Sequence, residues 1–322
     1  MTVAVLAGGV GAARFLRGLV LAVPPTDVVA IVNTADDTVM HGLSISPDLD
    51  TVTYTLAGAI DPERGWGLVD ESWRAMEALG RYAEVRPDGS EAAPTWFNLG
   101  DRDLATHFYR TARLREGATL TEVTAEIARA WNVAVELLPM TDDRFRTVVR
   151  LAGPPAEEVP FQDYFVGRRH SVPVSGVRFD RDDARTTAAV EAALDAAEAI
   201  VVAPSNPIVS IGPIRALPGV DERLAARRDR VVAVSPIVGG AALKGPADRM
   251  MRELGMTPSV AGVAEIYAPI AGTLVVDTVD AGLADDVEAT GMRCVVTPSV
   301  MTTADDARSL AVTCLDAVAS AG

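Results

Sequence analysis

The stretch TVAVLAGGVGAARFLRGL, residues 2–19, decides the fold. Thr2 to Ala7 is an apolar run of strand length. Gly8, Gly9 and Gly11 interrupt it before Phe15, Leu16, Leu19 and Val20 recur at helical spacing. Pro24 and Pro25 stop that helix, and Val28 to Val32 is a second unbroken apolar run, as a strand buried on both faces requires. Strand, helix and strand within about thirty residues make a βαβ unit and therefore a parallel sheet.

Working outward, Ala199 to Ala203, Val231 to Val234, Leu274 to Val276 and Arg293 to Val296 read as further strands. Helices are expected over 184–197, 246–254 and 304–319. Between Thr51 and Trp131 the pattern changes to successive helices, over 51–59, 71–79, 103–113 and 120–131, with almost no strand signal. Short β-like runs follow at 147–151 and 172–179. The reading is a single α/β domain over 1–322: a Rossmann-like three-layer α/β/α fold, its sheet mainly parallel, with a helical insertion at about 51–131 covering one sheet edge. Residues 86–93 read as an exposed turn.

Bulk composition narrows the function classes. A chain of 322 residues with 49% hydrophobic content buries a large core without staples. Only Cys294 and Cys314 are present, which excludes a disulfide framework and fits a cytoplasmic setting. No apolar run reaches membrane-span length, and the N-terminus has no basic leader. The formal charge of −15 argues against a nucleic-acid surface. A phosphorylated small molecule would have to be held locally, by backbone amides, a few arginines and a divalent cation. Lys244 is the sole lysine among 29 basic residues.

The candidate chemistry lies on loops at strand ends. Gly8, Gly9 and Gly11 shape a turn at a helix N-terminus, which favours an anion. From Gly9 the pattern is G-x-G-x-x-R, with Arg14 where a dinucleotide fingerprint wants Gly or Ala, and no P-loop lysine follows. The second strand leads into Asn33, Thr34, Asp36 and Asp37, and then a long loop reaches Asp48 and Asp50. Four carboxylates at one sheet edge repel one another, and a magnesium ion would relieve that. Capping of a helix beginning near Thr51 is the bland alternative for Asp48 and Asp50. Further on, Arg102 lies between Asp101 and Asp103 ahead of a helix, positioned to clamp an anion, and His107 shares a face with Asp103. Ser205 and Asn206 sit between prolines after a buried strand. With no Gly-x-Ser-x-Gly elbow and no Cys–His pair, catalysis by positioning and electrostatics remains.

In order and spacing, AGGVGAARFLRGL (7–19), VNTADD (32–37), ISPDLDTVTY (45–54), LGDRDLATH (99–107), LPMTDD (138–143), FQDYFVGRR (161–169), APSNPIVSIGPI (203–214) and AVSPIVGGAALKGPA (233–247) resemble the 2-phospho-L-lactate transferase family of coenzyme F-420 biosynthesis. The resemblance implies a donor in which guanosine diphosphate carries a three-carbon acid, and the deazaflavin Fo as acceptor. The terminal hydroxyl of Fo attacks the phosphorus bearing the acid, GMP leaves, and Mg2+ is required. It implies that Asp50 and Arg102 contact the acceptor. Asp50 and Asp37 are expected to hold the metal, and Asp61 to assist Asp50. Gly8, Gly9, Gly11, Asn33, Thr34, Asp36, Ser205 and Asn206 are expected to line the substrate site, with Trp131 or Phe161 stacking on the deazaflavin. The arginine-rich composition points to an actinobacterial member using a phosphoenolpyruvate-derived donor, and a homodimer is expected.

Two rivals remain. A nucleotide-sugar-binding regulator of the gluconeogenesis-factor type would share the glycine loop but not the LGDRD stretch at 99–103. A nicotinamide dehydrogenase is opposed by Arg14 and by Asn33 where a ribose-binding acid belongs.

Overall fold

The structure, a computed structural model, describes residues 1–90 and 92–320. Seven strands form one parallel sheet: β1 (Val3–Ala7), β2 (Val28–Val32), β3 (Glu136–Pro139), β4 (Ala199–Val202), β5 (Val231–Val234), β6 (Thr273–Val276) and β7 (Arg293–Val296). From one edge their order is 3-2-1-4-5-6-7, so the direction of winding reverses between β1 and β4. Val5 pairs with Ala30 on one side and Val201 on the other. Every residue of β1, β4, β5 and β6 is buried, which explains their continuous apolar runs.

Alternate residues of those runs feed two cores, one on each face, and this makes the three layers. Leu6, Ile31, Ile200 and Leu274 pack on one side with Val190, Leu194 and Val263. On the other, Val5, Val32, Val201 and Val232 meet Phe15, Leu16 and Leu19 of helix α1 (Gly9–Leu19) and Leu310 and Cys314 of the helix Ala304–Ala319. Gly18 permits this helix pair: a Cβ there would lie 2.2 Å from the Ala307 carbonyl carbon. Burial pushes the Cys314 thiol up, so it behaves as a packing group.

The insertion contains α2 (Pro47–Leu56), α3 (Arg74–Ala83), α4 (Asp103–Arg115) and α5 (Leu120–Ala130). Helix α2 begins four residues earlier than the sequence suggests, because Pro47 suits a first helical position. Asp48 and Asp50 therefore lie inside its first turn, and neither is the N-cap. The expected long loop before it contains a hairpin, Thr38–Met40 with Leu43–Ile45. His41 and Gly42 turn it with φ of 53° and 74°, the left-handed pair that tight hairpins need. Helix α3 runs later than expected and buries only Met76. The short β-like runs become an antiparallel sheet of Arg146–Leu151 between Glu157–Pro160 and Val174–Asp180. Of the expected exposed turn at 86–93, residues 86–89 and Ala92 are exposed, but Ala93 is buried, and Glu91 lies outside the described residues. Among the described residues no helix is long and apolar enough to cross a membrane.

Candidate active site

A cavity of about 610 Å³ opens where the strand order reverses, at the carboxyl ends of the strands, the usual ligand crevice of an open α/β sheet. Its walls come from the turn into α1, from α2 and α4, from 161–166, from 204–210, and from two later loops carrying Lys244 and Ser299. Gly8, Gly9, Gly11, Asp36, Asp50, Ser205 and Asn206 all line it.

The glycines do more than face a ligand. A Cβ on Gly11 would lie 2.2 Å from the Pro204 carbonyl oxygen, and one on Gly8 would lie 2.8 Å from Ser210 Cβ. Gly9 has φ of +70°. These three residues let the α1 turn close onto the loop after β4, where the Ser205 hydroxyl donates to the Gly8 carbonyl at 2.7 Å. The Gly9 amide donates to the Asp48 carboxylate, so part of this helix N-terminus already faces an anion from the protein itself.

Asn33 does not line the cavity. Its side-chain oxygen accepts from the Ala35 amide at 3.0 Å, and its amide donates to Asp36 at 3.1 Å and Asp48 at 2.9 Å. It is a bracket that draws two carboxylates together. Thr34 is buried behind the same rim. Burial, followed by repulsion from Asp48 and Asp37, holds the Asp36 carboxyl well above its ordinary range. Burial also raises Asp48, to about 6, against the opposing bonds from Asn33 and Gly9. Asp37 is raised by burial too, although Ser46 donates to it at 2.6 Å. One oxygen each of Asp36 and Asp37 is buried without a hydrogen-bond partner.

The insertion supplies a second, differently balanced acid group. The Asp50 carboxylate accepts from both terminal nitrogens of Arg110, one at 3.1 Å, and both side chains are buried. His107 Nδ1 lies 3.7 Å from Asp50 and its Nε2 lies 3.3 Å from Asp103. The Tyr54 hydroxyl donates to Asp103 at 2.6 Å. Burial opposes ionisation of Asp103, but His107 and Tyr54 outweigh it and hold the carboxyl low. Arg110 left no signal in the sequence beyond helical spacing from His107, because its partner lies 60 residues away.

Three further predicted residues sit away from the cavity. Arg102 is exposed at the start of α4, and its guanidinium donates to the Val69 carbonyl at 2.9 Å. Asp61 accepts from the Glu63 and Arg64 amides at 2.9 Å each and pairs with Arg64, so it serves its own turn. Asp37 lies behind the cavity wall, next to Ser46. Among the aromatics, Phe161 lines the cavity and stacks on Phe165 at 5.3 Å, whereas Trp131 packs behind it on Tyr54.

Two acid sets fit a divalent cation to different degrees. Ligand atoms of Asp50, Asp103 and His107 lie within 4.8 Å of one another, yet Arg110 and Tyr54 already occupy those carboxylates. A cation there would face the buried guanidinium. Asp36 and Asp48 both line the cavity with no cationic side chain paired to them, and Asp36 keeps one buried oxygen without a partner, the donor chemistry a hard cation takes.

A 3-2-1-4-5-6-7 sheet, a crevice at its switch point and clustered acids without a nucleophilic dyad define an α/β enzyme of the group-transfer kind. The family model for 2-phospho-L-lactate transferase CofD matches residues 3–297, and the chain belongs to that family, as a transferase of coenzyme F-420 biosynthesis. It is 43% identical over 316 residues to a phosphoenolpyruvate transferase of Streptomyces griseus, covering 97% of this chain and 96% of the relative. A relative of the same name from Nocardia farcinica is 41% identical, with 93% and 90% covered. The fold also matches a UPF0052-family protein from Bacillus halodurans, with TM-score 0.60, 16% identity and 98% of each chain covered.

Proposed function

We propose that this transferase moves a phosphoenolpyruvate-derived group from its guanosine-diphosphate-activated form to the terminal hydroxyl of Fo, releasing GMP. The observation that carries the reading is the joining, in one cavity, of the α1 glycine turn, the acids of two loops and the loop after β4. The names of the relatives support the phosphoenolpyruvate donor over 2-phospholactate.

Magnesium, held by Asp36 and Asp48, would supply charge neutralisation for the donor's diphosphate and the developing phosphoryl charge. Asp50 holds the acceptor hydroxyl in line, and Arg110 fixes the carboxylate in one orientation. Phe161 and Phe165 offer an aromatic wall for the planar ring of Fo, and stacking there excludes water from the reacting groups. Asp103, ordered by His107 and Tyr54, sets the position of the α4 face.

The test is direct. The protein is incubated with Fo, magnesium and either the phosphoenolpyruvate or the phospholactate derivative of guanosine diphosphate, and GMP and the phosphodiester are separated by chromatography. The proposal expects GMP release that requires Fo and is faster with the phosphoenolpyruvate derivative. No Fo-dependent GMP from either donor would end it.

A further inference from the structure

The cavity has a second pole that the acids do not explain. Arg14, on the sixth residue of α1, and Lys244, beyond the small hairpin Ile237–Val238/Ala241–Ala242, both line it. They stand close enough for their charges to repel, and that repulsion adds to burial in lowering the Lys244 ammonium. In a chain of net charge −15 this is an unexpected place for two cations without a carboxylate. Other arginines near the cavity are neutralised: Arg110 by Asp50, Arg64 by Asp61, and Arg249 by Glu253. Among the described residues, neither Arg14 nor Lys244 has an ion pair or hydrogen bond to the protein.

The surroundings are built rather than incidental. The hairpin that presents Lys244 is anchored by the Gly239 amide, which donates to Asp280 at 2.9 Å. Above it, a Cβ on Gly65 would lie 3.0 Å from Lys244 Nζ and 3.3 Å from Val10 Cγ1. The 61–68 loop thus roofs the space between the α1 turn and the lysine, with Gly65 next to the ammonium. The Gly9 amide, the obvious alternative anion donor, is already engaged by Asp48.

We propose that Arg14 and Lys244 form an anion subsite that receives a phosphate or carboxylate group of the activated acid, beside the α1 turn. The identity of that donor rests on the transferase reading above; the anion subsite itself does not. An oxyanion held between two cations removes their mutual repulsion and fixes the donor's direction. An arginine supplies a planar fork and a lysine a point charge, a pairing suited to tetrahedral or planar oxyanions.

Calorimetric titrations of inorganic pyrophosphate, GDP and the complete donor into wild type, Arg14→Gln and Lys244→Gln test this, with circular dichroism confirming the fold. Binding should weaken at least tenfold in each variant, fall with added salt, and recover to within about threefold in Lys244→Arg. Weaker pyrophosphate and GDP binding assigns the subsite to the diphosphate. Unchanged GDP with weakened donor binding assigns it to the acid's carboxylate. Unchanged affinity for all three ligands in both glutamine variants overturns the proposal, as does a wild-type chain that binds none of them. These titrations need neither acceptor nor turnover, so their failure and that of the transfer assay are told apart.

Discussion

The sheet and the insertion each bring acids to the cavity, but they treat them in opposite ways. On the insertion side, Asp50 has Arg110 and Asp103 has His107 and Tyr54, so their charges are answered within the protein. On the sheet side, Asp36 and Asp37 from the loop after β2, joined by Asp48 from the start of α2, are buried close together, all raised above the ordinary carboxylate range. The difference separates a self-sufficient positioning network from a site whose energy balance waits for a cation. A buried charge without a partner is costly, and proteins retain such cost mainly where a ligand relieves it.

The comparison breaks most visibly on activity. Asp48→Asn keeps the size and the Asn33 contact but removes the charge, and turnover with saturating magnesium is expected to fall by about a thousandfold or more. Initial rates of GMP release measure it; a loss below tenfold would place the metal elsewhere. Asp50→Ala should lower turnover by a hundredfold or more through misplacement of the acceptor. It should also destabilise the fold by about 3–5 kcal/mol, because Arg110 is left buried and unpaired. Replacing both, as Asp50→Asn with Arg110→Met, should recover part of that stability but none of the activity. Urea unfolding separates the two effects, and a stability loss under about 1 kcal/mol for Asp50→Ala would deny the pair its role.

The two sides also differ in their pH response. A carboxyl with a folded pKa near 6 against an unfolded value of 3.8 binds more protons in the native state between those values. Stability of the metal-free protein should therefore decline as pH rises from about 4 to about 6, by roughly 1–3 kcal/mol. Asp103, held low, works in the other direction: its contribution is present above the unfolded value and lost as pH falls below it. Urea midpoints between pH 4 and 7 report the sum, and Asp48→Asn should flatten the decline. The smallest effect belongs to Tyr54→Phe, which removes one donor from Asp103 and should cost about 1 kcal/mol with turnover reduced only a few fold.

Strands β1, β2, β4, β5 and β6 are legible because burial on both faces writes apolar runs, whereas β7, an edge strand with no fully buried residue, is legible only from its Cys-Val-Val run. Strand β3 is not: its four residues begin with an exposed glutamate and end in proline at the sheet edge. The same limit governs the site. Glycines and acids near strand ends announce a crevice, and Asp36, Asp50, Ser205 and Asn206 line it as local pattern suggests. Which acid is satisfied depends on pairing across 60 residues, as between Asp50 and Arg110. Asn33 reads as a ligand contact because its type and place fit, yet its amide turns back to hold Asp36 and Asp48. Arg102 reads as a clamp, but the turn of α4 that follows it directs Asp103 inward and leaves the guanidinium on the Val69 carbonyl.

Thermal unfolding of wild type and Asp48→Asn at pH 7.5, with and without magnesium, tests most directly whether the sheet-side acids await a cation. Without metal the variant should melt several degrees higher than wild type, and magnesium should raise wild type while leaving the variant nearly unmoved. A variant that melts lower than wild type in metal-free buffer, with magnesium shifting neither protein, would contradict the account.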